Sequence, residues 1–157
     1  MLAISKLLPL KEELTINLVI ETPAEDIAHR YSPGKATISE RIKAARALKT
    51  FGFDVEIQVA PLLPYRGGRS VAAEFAEQLV SSSNRIFVAS YYAAAGTNRQ
   101  NKKSPLAVGM AAAGHGAWLR KGAEVELMAE ISLLSPSHLE CPQPYYAVSE
   151  QLDLFVA

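Results

Sequence analysis

Two stretches of this chain alternate apolar and polar side chains residue by residue. In L-T-I-N-L-V-I-E (14–21), Leu14, Ile16, Leu18 and Ile20 share one face, and Thr15, Asn17, Val19 and Glu21 share the other. In V-E-I-Q-V-A-P-L (55–62), Val55, Ile57 and Val59 form the apolar face, and Glu56, Gln58 and Ala60 the second. A period of two predicts strands. Between them, Thr37-Ile38-Ser39-Glu40 is a capping box, in which the hydroxyl and the carboxylate each satisfy an amide at the start of a helix. Ile38, Ile42, Ala45 and Leu48 then recur at helical spacing, and Gly52 supplies a left-handed stop. A helix between two strands is the crossover of a parallel pair, since an antiparallel pair needs only a tight turn.

The pattern repeats once. A short helical turn around Pro23–Tyr31 is broken by Pro33-Gly34, and after the second strand a loop, L-P-Y-R-G-G-R, leads to Ser70, read as an N-cap. Val71, Phe75 and Leu79 mark the buried stripe of the next helix, and I-F-V-A-S-Y (Ile86–Tyr91) reads as a third strand. The expected fold class is therefore α/β: a small parallel sheet with right-handed β-α-β-α-β order. Strands covered on both sides are usually continuously apolar. Here Thr15, Asn17, Glu21, Glu56 and Gln58 mark one face as wet, facing solvent, a lumen or a ligand.

Beyond Tyr92 the periodicity weakens. G-T-N-R-Q-N-K-K is a polar, basic loop, and Ser104-Pro105 opens an Ala- and Gly-rich segment that ends near Trp118. Residues 124–134, E-V-E-L-M-A-E-I-S-L-L, are read as a strand on their alternation, which would make a mixed C-terminal extension. In S-P-S-H-L-E-C-P-Q-P-Y-Y, prolines interrupt any regular structure. The expected organisation is an α/β domain over 1–134 and, over 135–157, a proline-containing linker with a terminal docking peptide.

Charge narrows the function classes. Sixteen basic and sixteen acidic residues balance, so there is no global pull toward nucleic acid, and any DNA contact would be indirect or local. No apolar run reaches the ~18 residues of a membrane helix, so no membrane partner is expected. The single cysteine, Cys141, excludes an internal disulfide framework and fits a reducing, cytoplasmic location. It also excludes any multi-cysteine metal or iron–sulfur site made by this chain alone. His29, His115 and His138 show no metal-ligand spacing. R-G-G-R-S before a helix places Arg66, Arg69 and Ser70 as a candidate anion-binding loop, although the Walker spacing is absent. Arg99–Lys103 is a second basic stretch, and by default it is solvated.

The run from Ile20 to Pro64, I-E-T-P-A-E-D-I-A-H-R-Y-S-P-G-K-A-T-I-S-E-R-I-K-A-A-R-A-L-K-T-F-G-F-D-V-E-I-Q-V-A-P-L-L-P, resembles the second half of radical S-adenosylmethionine enzymes. The branch containing spore photoproduct lyase is the most similar. The shared features are a strand, a P-G-x-A-T/S turn, an E-R-I-x-A-A-R-x-L helix, a G-F/Y corner and a V-A-P-L/I strand, and the resemblance extends over about residues 14–92. It implies half of a partial (β/α) barrel, with S-adenosylmethionine and an iron–sulfur cluster at the carboxyl ends of the strands. Carried over by position, it makes Glu21, Thr22, Arg41, Ala60, Pro61 and Tyr91 candidates for lining a cofactor or substrate pocket. The C-x-x-x-C-x-x-C loop of that family is absent, and Ser32 stands where relatives often have Glu. Three strand–helix units also fall short of the family's six. The resemblance thus implies radical chemistry only with a cluster-bearing second subunit.

Q-L-D-L-F at Gln151–Phe155 resembles the peptide by which bacterial DNA polymerases and mismatch-repair proteins dock on the replication sliding clamp, matching that pattern at all five positions. In that role Leu154 and Phe155 would fill an apolar pocket, Leu152 would add contact, Gln151 would hydrogen-bond at the rim, and Asp153 would take the position shared by Ser and Asp. The alternative is a terminal strand with Leu152, Leu154 and Val156 facing inward. Together the two resemblances imply a DNA-repair-associated protein recruited to the bacterial sliding clamp. The alternatives are a non-enzymatic adaptor or remnant domain, or a small anion-binding α/β domain.

Overall fold

A computed structural model describes residues 6–139. Cys141 and Gln151–Phe155 lie outside the described residues, as does the choice between docking peptide and strand. Three parallel strands, β1 (Thr15–Val19), β2 (Asp54–Val59) and β3 (Arg85–Val88), stand in the order β1-β2-β3. The first crossover holds α1 (Glu25–Tyr31) and α2 (Ile38–Thr50), and the second is α3 (Gly68–Ser82). After β3 come α4 (Tyr91–Ala95), α5 (Arg99–Lys102), α6 (Pro105–Ala112) and α7 (Val125–Leu134).

Register explains the two-faced sheet. Leu18 pairs with Ile57 and Ile57 with Ile86, while Val59 pairs with Val88, so the apolar residues form continuous rows. The alternate rows run Asn17–Glu56–Arg85 and Val19–Gln58–Phe87. A one-residue slip would turn every apolar row to the wrong face, which holds this register in place. Strands added in chain order by right-handed crossovers put α2 and α3 on one side. There α2 packs on β2, α3 packs on β3, and the helices pack on each other. Ile42, Ala45, Phe75, Ala76 and Leu79 close one core with Ile57, Val59 and Ile86. On the other face Thr15 and Asn17 are exposed, and Glu56 and Gln58 are half-buried.

The capping box at α2 forms as its sequence predicts. The Thr37 hydroxyl accepts from the Glu40 amide, and the Glu40 carboxylate accepts from the Thr37 amide at 2.9 Å. Gly52, at φ +86°, ends the helix and turns Phe53 into the core. Ser104 likewise caps α6, accepting from the Ala107 amide at 3.2 Å, with Pro105 in the first turn.

Several expectations change. Residues 124–134 form α7, not a strand: Leu127 and Ile131, four apart, are buried against α3, and Leu, Met, Ala and Glu favour the helix. Ser70 is not the N-cap of α3. Gly67 is, at φ +109°, and the Ser70 hydroxyl instead donates to the Gly67 carbonyl at 3.1 Å. The third strand stops at Val88, and Tyr91 opens α4 behind Ser90 rather than ending β3. The loop at 96–103 contains the short helix α5, capped by the Asn98 side chain. Residues 135–139, the start of the expected linker, dock on the domain: His138 contacts the Ser83 carbonyl at 3.1 Å, and Leu139 bridges to Ile86.

Gly67 is required twice over, by its left-handed backbone and by Val71, whose Cγ2 would lie 2.3 Å from an added Cβ. Gly67→Ala is therefore expected to lower stability by about 1–3 kcal/mol. Gly68→Ala, at φ +56° with open space around it, should cost less. Urea midpoints with unchanged slopes check the order, and equal losses would contradict it.

Candidate functional site

The carboxyl ends of β1 and β2 are bound to one another and to the chain leaving β3. Ile20 donates its amide to the Gln58 carbonyl at 3.0 Å, and Leu63 donates to the Glu21 carbonyl at 2.8 Å. Leu62 donates to the Ala89 carbonyl at 2.8 Å, and Ala89 to the Val59 carbonyl at 3.1 Å. The Thr22 hydroxyl donates to the Pro64 carbonyl at 2.9 Å and accepts from the Ala24 amide at 3.1 Å. These bonds satisfy the backbone that the ladder leaves behind, so the edge is a rigid platform.

Glu21 sits on that platform, with its side chain 2% exposed. Arg41 of α2, also buried, donates from Nη1 to Glu21 Oε2 at 2.7 Å and also to the Val19 carbonyl. Lys35 and Ser32, on the loop after α1, donate to Oε1 at 2.8 and 3.1 Å. Burial alone would raise the Glu21 pKa. The Lys35 hydrogen bond and the charges of Arg41 and Lys35 outweigh it and hold the carboxyl below its ordinary 4.5. Glu25 secures the same corner, its two oxygens accepting from the Ile38 and Ser39 amides at 2.9 Å each.

Glu21, Ala60 and Pro61 come together in the structure. With Tyr31, Ser32 and Lys35 they line a cavity of about 200 Å³ at the carboxyl edge. Arg41 stands behind Glu21. Thr22 is fully buried and its hydroxyl is committed to the Pro64 carbonyl. Tyr91 lies elsewhere, donating its hydroxyl to Ser104 at 2.9 Å and packing with Leu63, Ala107 and Met110. The R-G-G-R-S residues diverge. Arg66 lines a larger cleft, whereas Arg69 pairs with Glu130 at 2.6 Å and Ser70 is turned to Gly67.

Spacing alone missed Lys35, whose only hint was its place beside the Pro-Gly turn. It also missed the meeting of His115 with Tyr31, 3.0 Å from Nδ1 to the hydroxyl across the sequence.

The Glu21 cavity falls below the roughly 300–1,000 Å³ typical of ligand sites, so by itself it is too small to hold a whole S-adenosylmethionine molecule. A four-iron cluster needs several cysteine thiolates, and the chain has one cysteine. Among the described residues, no group of three or more His, Cys, Asp or Glu is placed to hold a metal, and no helix is long and apolar enough to cross a membrane. No family model matches the chain, and no curated protein or solved structure matches it.

Glu21→Gln leaves Arg41 buried without its counter-charge, and a loss of about 3–5 kcal/mol is expected at neutral pH. Because the folded pKa of Glu21 is depressed, the stability it contributes is present above 4.5 and is lost as pH falls through the folded value. Urea unfolding from about pH 7 to about pH 3 should therefore show parent and variant converging on acidification. A constant gap would show that the charge of Glu21 is not what matters.

Proposed function

We propose that this chain is a DNA-repair-associated protein of bacteria, brought to the replication sliding clamp by Gln151–Phe155. The observation that carries the reading is the sequence Gln151-Leu152-Asp153-Leu154-Phe155, which agrees at every position with the clamp-docking pattern. Such a peptide would use two apolar side chains as anchors and one amide at the rim. Linear peptides lose freedom on binding and hold weakly per contact, which suits transient recruitment.

In the same reading, the sheet domain is the half of a radical S-adenosylmethionine-type barrel that lacks the cluster. Two features support it: α2 and α3 lie on one side of a sheet wound in a single direction, and the Asn17–Glu56–Arg85 row of the opposite face is polar. In this reading a cluster-bearing second subunit would meet the Glu21 edge and supply the cysteines and the rest of the pocket. A second reading, a non-enzymatic adaptor, is favoured by one observation: both carboxylate oxygens of Glu21 are already held by groups of this chain.

The test is binding of the full chain to a purified bacterial sliding clamp by surface plasmon resonance. Leu154→Ala combined with Phe155→Ala is expected to weaken binding by roughly tenfold or more, as loss of anchor residues does. Unchanged binding by the double variant, or none by the parent, would sink the recruitment proposal. Affinity purification under anaerobic conditions separates the two domain readings. A cysteine-rich partner with cluster absorbance favours the split enzyme, and its absence favours the adaptor.

A further inference from the structure

A second concavity, separate from the Glu21 cavity, opens where α1, the loop before α3 and the segment after α6 meet. Its volume is about 470 Å³, inside the range of small-molecule sites. The walls are of two kinds. Tyr65 and Trp118 form an aromatic side, their ring centroids 4.8 Å apart and inclined at 62°, with His115 beside them. Arg30 and Arg66 stand at the exposed rim against one carboxylate, Asp26.

The two cations at the cleft are not drawn into ion pairs inside the domain, as three of the chain's other arginines are. Arg41, Arg69 and Arg85 are each in an ion pair within the domain. Arg30 and Arg66 have no ion-pair partner among the described residues. Helix α1 brings Asp26, Ile27 and Arg30 to one face, since residues three and four apart are neighbours. Arg66 arrives from the other side, on the loop whose Pro64 carbonyl is bonded by Thr22. Two guanidiniums at the mouth of a cleft with an aromatic wall recognise an anionic group attached to a flat ring, because a guanidinium fork matches phosphate oxygens and a ring face accepts stacking.

We propose that this cleft binds a planar aromatic ligand bearing a phosphate, of the chemical class of a nucleoside monophosphate. The phosphate lies between Arg30 and Arg66, and the ring lies against Trp118 and Tyr65. The Tyr65 hydroxyl is buried without a hydrogen-bond partner among the described residues. Burial and the nearby Glu126 push its pKa up to about 12, so it remains a protonated donor at any physiological pH. The site uses neither the Glu21 cavity nor Gln151–Phe155, so it goes beyond the proposed function and stands or falls separately from it.

Trp118 is the only tryptophan in the chain, so it reports from within the cleft. The experiment titrates the full chain with adenosine 5′-monophosphate, following Trp118 fluorescence and, in parallel, heat by isothermal calorimetry. Adenosine and inorganic phosphate serve as the two halves of the ligand. Saturable binding of the nucleotide is expected, with each half binding more weakly. Arg30→Ala and Arg66→Ala, both at exposed positions and checked for folding by circular dichroism, should each weaken binding by roughly tenfold, as loss of a charge-assisted bond does. No saturable signal by either method at roughly millimolar nucleotide, or full affinity in both folded variants, would overturn the proposal. A short single-stranded oligonucleotide in the same assay identifies the source. Tighter binding than the mononucleotide places the ligand within a strand, and equal or weaker binding makes it a free nucleotide. Both arginine variants should bind the sliding clamp as the parent does, so the two proposals fail independently.

Discussion

The carboxylate of Glu21, enclosed at the end of β1, is held on one side by Arg41 and on the other by Lys35 and Ser32. A bare carboxylate in that position would cost several kcal/mol relative to water, so the fold has to bring cations to it. Arg41 comes from α2 and is itself buried, so neither member of the pair can leave without exposing the other's charge. Through that pair α2 is locked to β1, and its apolar stripe of Ile38, Ile42 and Ala45 is set over the sheet. Lys35 is half exposed and contributes less to stability, because water competes for it. It closes the loop between α1 and α2 over the strand end.

With α2 held in this way, one side of the sheet is built up by helices. Helices α2, α3 and α7 make one continuous core with the apolar rows. The alternate rows, Asn17–Glu56–Arg85 and Val19–Gln58–Phe87, lie on the other face. Strands wound in one direction do not place helices on both sides, as a sheet whose order reverses would. The carboxyl edge is therefore the place where loops from both crossovers meet, and both cavities described above occur there.

The two proposals assign recognition to different parts of the chain. A linear peptide recognises its partner by side chains in sequence order, so its information is complete in five letters. A cleft recognises by convergence. Arg30 and Arg66 are separated by two secondary-structure elements and acquire a common target only when α1 and the loop after β2 are brought together. The Glu21 cavity stands between these cases, since Glu21, Ala60 and Pro61 follow strands that run side by side.

The strands, the two crossover helices and their parallel order are legible in the sequence, because a period of two, a capping box and a stop glycine are local signals that tertiary packing reinforces. Ser104-Pro105 is legible for the same reason. Residues 124–134 are not, because Val125 and Leu127 alternate like a strand while Leu127 and Ile131 repeat like a helix. Only the surface of α3, waiting for an apolar stripe at helical spacing, decides between them. Ser70 misleads because a cap is chosen by backbone conformation, and Gly67 reaches the left-handed region that the turn requires. Of the candidate site, adjacency along parallel strands made Glu21, Ala60 and Pro61 predictable. The partnership of Glu21 with Lys35, the contact of His115 with Tyr31 and the placement of Arg30 and Arg66 on one cleft are long-range facts. They follow from how the crossovers pack, and no local periodicity encodes them.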